Sequence, residues 1–189
     1  MPLSEPVARE VLHTRRIVLQ GYHRADGLFD IEAQLTDTKT NGFSSEDRGF
    51  IEPGEPLHGM SMRMTVDEDM LIVGFEAVTD YSPYRICPEI APNFASLVGL
   101  RIGRGFLRAA AERVGGTHGC THLRELLQQM GTVVFQTLYS ARTRRGQDAE
   151  AKPALLNTCY AYSSDSEVVQ RRWPEHYKGD AALQPAHQD

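Results

Sequence analysis

The richest concentration of chemically capable side chains lies in residues 115–126, which read GGTHGCTHLREL. Cys120 offers a thiol, His122 an imidazole and Glu125 a carboxylate. Thr121 is suited to cap a helix, and a helix start presents unpaired N–H groups that favour anions and thiolates. The segment therefore predicts a pocket at a helix start. We assign Cys120, Thr121 and Glu125 to substrate binding, and His122 is a candidate acid or base.

The same residues raise the question of a metal site, because thiolate and neutral imidazole are preferred zinc ligands. The segment lacks the C-x-x-C and H-x-x-x-H spacings of common zinc sites, so a metal there needs a distant ligand. We therefore favour no cofactor and keep zinc held by Cys120, His122 and His58 as the alternative. A structural alternative also stands, in which Cys120 packs as a small apolar residue and His122 forms a local hydrogen bond.

A second group of candidates surrounds a predicted hairpin turn at Asp26-Gly27. Arg24 and Asp26 flank this turn, and an ion pair between them would stabilise the hairpin. The functional alternative is that Arg24, with Tyr22 beside it, binds an anionic or phenolate group. Asp26, or Asp30 on the polar face of the next strand, then acts as an acid or base.

Three further candidates lie elsewhere in the chain. His58 opens a strand after a long polar loop, and a helix that crosses the sheet would bring it near His122. Arg63 follows on the alternate face of the same strand, where it is a candidate substrate-binding residue. Tyr84 lies in a loop punctuated by prolines, a common place for functional residues. We take His58 and Tyr84 as catalytic candidates.

The elements that would position these residues form an α+β fold. Hydrophobic alternation predicts two β-hairpins within residues 11–79, and hence an antiparallel sheet of about four strands with one apolar face. Apolar residues at helical spacing predict helices that cover this face. The predicted helices span about 93–100, 104–114 and 121–145.

Composition narrows the function classes. The 189 residues carry a formal net charge of −5, whereas nucleic-acid binders usually show a basic face. No stretch approaches the ~20 apolar residues that cross a bilayer, so we predict neither a nucleic-acid nor a membrane partner. Three widely spaced cysteines and no apolar leader indicate a cytoplasmic protein with reduced thiols. Common nucleotide, serine-hydrolase and H-E-x-x-H motifs are absent from the sequence.

The chain is short enough to form one domain over residues 1–189, and we expect flexible ends at 1–10 and 179–189. An unpaired sheet edge or an exposed face of the long helix would allow a homodimer. Nothing else in the sequence indicates a macromolecular partner.

Three blocks together resemble a bacterial family of domains of unknown function. They carry the patterns R-x-D-G-L-F-D, L-H-x-M and G-C-T-H-L-x-E-L, in this order along the chain. The resemblance covers about residues 12–178 and associates the chain with proteobacterial catabolism of aromatic compounds. It implies a small phenolic, lignin-derived substrate. The implied reaction is a cofactor-independent lyase reaction that releases formaldehyde by retro-aldol-like C–C cleavage.

Such a reaction needs a base that takes a hydroxyl proton and a cation or donor that holds a phenolate. The candidate bases are His122, His58, Asp26 and Asp30. The candidate phenolate holders are Arg24, Arg63 and Tyr84. Two other functions stay open: a metal-dependent hydrolase or lyase that uses Cys120, His122 and His58, and a protein that binds a small molecule without converting it.

Overall fold

The computed structural model describes residues 3–144 and 155–179. The chain divides into two compact units, Met1–Ser140 and Ala141–Asp189. Within the described residues, no helix combines the length and apolar character that crossing a bilayer requires. Of the predicted flexible ends, residues 1–2 and 180–189 lie outside the described residues.

The first unit is built on an antiparallel sheet. Six strands are described: β1 (His13–His23), β2 (Phe29–Lys39), β3 (Phe43–Ser45), β4 (Gly49–Ile51), β5 (Pro56–Val66) and β6 (Ile72–Tyr81). The four long strands form one sheet in the order β1-β2-β5-β6, and every neighbouring pair is antiparallel. The predicted α+β class and the four-stranded sheet are therefore confirmed.

Strand β2 shows why one face of this sheet is covered. Its alternate residues Phe29, Ile31, Ala33 and Leu35 are buried, as the period of two in a strand requires. The next residue in this buried register is Asp37, a carboxylate. A charge in an apolar row costs free energy unless it is paired, so this position needs partners.

The long polar loop of residues 41–57 contains structure that the sequence pattern did not reveal. Strands β3 and β4 form a short hairpin within it. The hairpin lies against the loop after β6, because the Ser45 hydroxyl donates to the Pro83 carbonyl at 3.1 Å and the Arg85 amide donates to Asp47 at 2.9 Å. These long-range contacts stabilise strands of only three residues each.

Helices cover the apolar face as predicted, with one difference. The segment predicted as a helix over 93–100 is a 3-10 helix that spans Cys87–Leu97. Pro88 at its start and Pro92 inside it have no N–H to donate, which disfavours regular α-helical bonding. The other two are helices α1 (Phe106–Val114) and α2 (Thr121–Arg144).

Among residues 155–179 of the second unit, the helical segments are all short. Helix α3 spans Glu167–Arg172 and is capped by Ser166, whose hydroxyl accepts from the Val169 amide at 3.2 Å. Two 3-10 turns, Tyr160–Tyr162 and Pro174–His176, flank it. No candidate site residue lies in this unit, so the site is built on the first.

Helix α2 packs closely on strand β1 at Gly21. A Cβ atom at this position would overlap the side chain of Thr137. We expect Gly21→Ala to destabilise the protein by about 1–3 kcal/mol, because Thr137 is branched at Cβ and has little freedom to move away. Urea unfolding measures this change.

The control for Gly21→Ala is Gly74→Ala, in strand β6. There the nearest atoms to an added Cβ are 3.4 Å away, which is ordinary van der Waals contact. We expect a much smaller loss of stability in this control. Equal losses in both variants would contradict the close packing of α2 on β1.

Candidate acid–base site

The site begins as a row of three side chains on adjacent strands. Arg15 of β1 pairs with Asp37 of β2, and Asp37 pairs with His58 of β5. Residues directly opposite in paired strands point to the same face, so all three lie on the covered side of the sheet. Helix α2 begins above this row and places His122 on His58, with the ring centroids 4.0 Å apart.

Asp37 is the centre of the row, and it is only 1% exposed. Its carboxylate accepts from Nε and Nη2 of Arg15, both at 2.8 Å, and contacts Nδ1 of His58 at 3.0 Å. Nε2 of His13 lies 3.2 Å away. Burial alone would raise the pKa of Asp37, but the hydrogen bonds and charge of Arg15, with His58, outweigh it and lower the pKa. The carboxylate is therefore ionised.

The ionised state of Asp37 fixes the tautomer of His58. A carboxylate has no proton to donate, so Nδ1 of His58 must carry the hydrogen of the 3.0 Å bond. Burial, and then the neighbouring His122, lower the pKa of His58 despite the opposing effect of Asp37. The imidazole is therefore neutral near pH 7, and its Nε2 holds a free lone pair.

This lowered pKa predicts a pH dependence of stability. The unfolded chain protonates His58 near its ordinary pKa of 6.5, whereas the folded site resists the proton. The unfolded state therefore binds more protons below that value, and the His58 contribution to stability falls as the pH drops from about 7. Urea unfolding at several pH values should show a steeper loss in the wild type than in His58→Gln.

A pH dependence in His58→Gln as steep as in the wild type would contradict this assignment. All other titratable groups are the same in the two proteins, so the difference between the two curves reports on His58.

Two more predicted residues join the row from the start of α2. Sγ of Cys120 lies 3.8 Å from Nδ1 of His122. Oε2 of Glu125 accepts from Nη1 of Arg15 at 2.5 Å. Arg15 thus connects β1, β2 and α2, and two carboxylates share its single positive charge. The Arg124 amide donates to the Cys120 carbonyl at 3.0 Å, so the helix cap lies at Cys120, one residue before the predicted Thr121.

The structure separates the hairpin candidates from this row. Arg24 donates from Nε and Nη2 to Asp26 at 3.0 and 2.6 Å, and from Nη1 to Asp30 at 3.3 Å. Asp30 also accepts from the Thr65 hydroxyl at 2.7 Å. Asp30 and Asp37 lie at opposite ends of β2, roughly 23 Å apart at ~3.3 Å per residue. The contacts of Arg24 match the structural alternative, an ion pair that stabilises the turn, and Tyr22 lies at this same end of β1.

The other two predicted residues are also placed elsewhere. Arg63 lies on the opposite face of the sheet, where Nε donates to Glu32 at 2.9 Å and Nη1 lies 3.8 Å from Glu76. Tyr84 lies in the loop after β6, and 55% of the residue is exposed. The structure therefore brings together His58, His122, Cys120 and Glu125 from the predicted set.

Sequence reasoning missed three residues that build the row: His13, Arg15 and Asp37. One signal was present for Asp37, because alternation in β2 places this carboxylate in register with apolar residues. Arg15 and His13 gave no signal. Their role depends on the pairing of β1 with β2, which follows from the whole sheet.

The geometry also offers ligands to a metal. Asp37, His58 and His122 present atoms that all lie within 4.8 Å of one another. The Asp37 carboxylate is already bonded to Arg15 and His58, however, so a metal ion that used it would have to replace these hydrogen bonds. The ligand group that the described residues bring together is therefore Asp37, His58 and His122, whereas Cys120, which the sequence suggested as a ligand, lies beside His122 but outside this group.

A protein-family model described as "Protein of unknown function (DUF2889)" matches residues 13–136, about two thirds of the 189 residues. The chain belongs to the DUF2889 family. This confirms the predicted relationship to a family of domains of unknown function. No curated protein and no solved structure matches the chain. The DUF2889 region contains the complete row and the start of α2, from His13 to Glu125.

Proposed function

We propose that this DUF2889 protein is a lyase that works by acid–base catalysis, with His58 as the base. The observation that carries the proposal is the hydrogen bond from Nδ1 of His58 to the buried, ionised Asp37. A carboxylate that holds one imidazole nitrogen orients the ring and stabilises the imidazolium that forms when the other nitrogen takes a proton. Arg15 keeps the carboxylate ionised. Asp37 and Arg15 are therefore positioning residues.

His122 is the second polar group at the base. Its ring faces His58 with an interplanar angle of 34°, and it lies at the first turn of α2. We assign it the role of donor to the substrate oxygen on which negative charge develops. Cys120 contacts this donor, and Glu125 bonds to Arg15 near the same helix start. In this proposal His122 holds the anionic oxygen. It replaces Arg24 and Arg63, which pair with carboxylates away from the row.

We infer from the sequence resemblance that the substrate is a small lignin-derived phenolic with a hydroxymethyl side chain, used in bacterial aromatic catabolism. His58 takes the hydroxyl proton on Nε2, and the C–O bond becomes the C=O bond of formaldehyde. The C–C bond breaks, and its electron pair enters the conjugated system of the substrate, which then takes the proton back from Nε2 of His58 and restores the base. No cofactor is needed because the substrate supplies the electron sink. A cytoplasmic location with free cysteines is part of this proposal.

The test is a formaldehyde assay with phenolic dimers that carry a hydroxymethyl side chain. We expect formaldehyde and the shortened aromatic product in equal amounts. The matched control is the same dimer with its side-chain hydroxyl blocked as a methyl ether, which has no proton to give and should not react. Binding of the dimer without any product would contradict the lyase proposal and favour the non-catalytic alternative.

A metal-dependent hydrolase or lyase is the second candidate, favoured by the proximity of Asp37, His58 and His122. The two candidates differ when a chelator is added. The acid–base proposal predicts that turnover is unchanged after treatment with a chelator. Elemental analysis of tag-free protein is the companion measurement. Near-stoichiometric metal that is lost in His122→Ala, together with turnover that the chelator abolishes, would establish the metal alternative instead.

A further inference from the structure

A cleft between helices α1 and α2 lies outside the row of Arg15, Asp37 and His58. It encloses about 370 Å³, which is within the range of pockets that hold small ligands, roughly 300–1,000 Å³. All of its walls belong to the first unit. Its two sides differ in chemistry, and this difference indicates what it binds.

The side formed by α1 is apolar. It consists of Leu107, Ala110 and Ala111. Leu107 is a large apolar residue that is nevertheless 45% exposed, whereas Ala110 is buried. The two alanines occupy little volume, so space remains beside Leu107 for a hydrocarbon group. Burial of that group would remove exposed apolar surface from water, which is favourable.

The side formed by α2 is polar apart from the buried Leu127. Thr121, Arg124 and Gln128 lie three to four residues apart, so they share one face of the helix. Among residues 3–144 and 155–179, no carboxylate pairs with the Arg124 guanidinium. Glu125 also lines the cleft, but its carboxylate accepts from Arg15, which it shares with Asp37. The cleft therefore places a guanidinium that pairs with no carboxylate of the described residues next to an apolar wall.

We propose that this cleft binds a small amphipathic carboxylate. The ligand's carboxylate pairs with the guanidinium of Arg124, whose planar fork suits a carboxylate. The Thr121 hydroxyl and the Gln128 amide provide further donors. The hydrocarbon part of the ligand packs on Leu107 and Ala111. This site is independent of the proposed lyase reaction, and its binding is measured without turnover.

Benzoate is the probe, and benzamide is its neutral counterpart of the same shape. Amide NMR spectra of the full chain should show saturable shifts at Thr121, Gln128 and Leu107 as benzoate is added in the millimolar range. Arg124→Gln should weaken benzoate binding at least about tenfold and leave benzamide binding unchanged. The charge-matched control is Arg16→Gln, on the exposed opposite face of the sheet, which should bind benzoate as the wild type does.

A second variant tests the cavity itself. Ala111→Trp fills the space beside Leu107 and should abolish benzoate binding while Arg124 is still present. Retained affinity in Arg124→Gln or in Ala111→Trp would overturn the proposal. So would the absence of saturable shifts in the wild type, or shifts confined to residues around His58.

Discussion

Replacing His58 with glutamine is expected to lower turnover of the phenolic substrate by about 10³-fold, within the 10²–10⁴ range of a positioned acid or base. Glutamine can still donate a hydrogen bond to Asp37, but it has no nitrogen that takes a proton near pH 7. The loss should appear in kcat, because proton transfer occurs in the transition state. Steady-state formaldehyde release by the purified variant measures this effect.

The matched control for His58→Gln is His118→Gln. His118 ends the turn before α2, and its carbonyl oxygen, which this substitution keeps, accepts from Asn93 at 3.0 Å. We therefore expect wild-type turnover in this control. Turnover in His58→Gln within a few-fold of the wild type would contradict the role of His58 as the base.

Asp37→Asn is expected to have the largest effect on stability. The carboxylate is buried and bonded to Arg15 and His58, so its removal leaves three N–H donors with a weaker acceptor. Loss of one partner from a buried ion pair costs about 3–5 kcal/mol, and we expect about 3 kcal/mol here because Arg15 is partly exposed and regains water. Chemical unfolding near pH 7 measures the change.

The control for Asp37→Asn is Asp26→Asn. Asp26 also pairs with an arginine, but the pair lies at an exposed turn, where ion pairs contribute little. We expect no resolved change in the unfolding midpoint of this control. Equal losses of stability in both variants would contradict the claim that burial makes the Asp37 ion pair contribute more than an exposed one.

The acid limb of the pH profile gives a second test of Asp37. The pKa of Asp37 is lowered in the fold, so its stabilising contribution is present above its ordinary value of 3.8 and is lost as the pH falls through the lower folded value. As the pH falls through the acid range, the free energy of unfolding of the wild type should therefore decrease more steeply than that of Asp37→Asn.

The strands and the long helix could be predicted because their apolar residues recur with the period of each element. The approach of His58 to His122 also follows from sequence, once α2 is taken to cross the sheet. The partners of Asp37 could not be predicted in this way. A slip of one residue between β1 and β2 would move Arg15 to the opposite face, and no local pattern fixes this register.

The hairpin candidates were suggested by the sequence, but the structure places them away from the row. Arg24, Asp26 and Asp30 have residue types suited to catalysis, but they lie so near in sequence that they pair with one another around the turn. Arg15 and Asp37 are 22 residues apart, and their contact exists only in the assembled sheet. Residue types alone could not distinguish the local ion pair at the turn from the row that spans three strands and a helix.

The central claim is that the buried Asp37 carboxylate orients His58, while burial and the neighbouring His122 keep its ring neutral with a free Nε2. Proton–nitrogen correlation NMR of the imidazole side chains tests it most directly, and His58→Gln assigns the His58 signals by their disappearance. The account predicts a neutral ring at pH 7 with its hydrogen on Nδ1 and a pKa below 6.5. A ring with its hydrogen on Nε2, or a charged ring at pH 7, would contradict it.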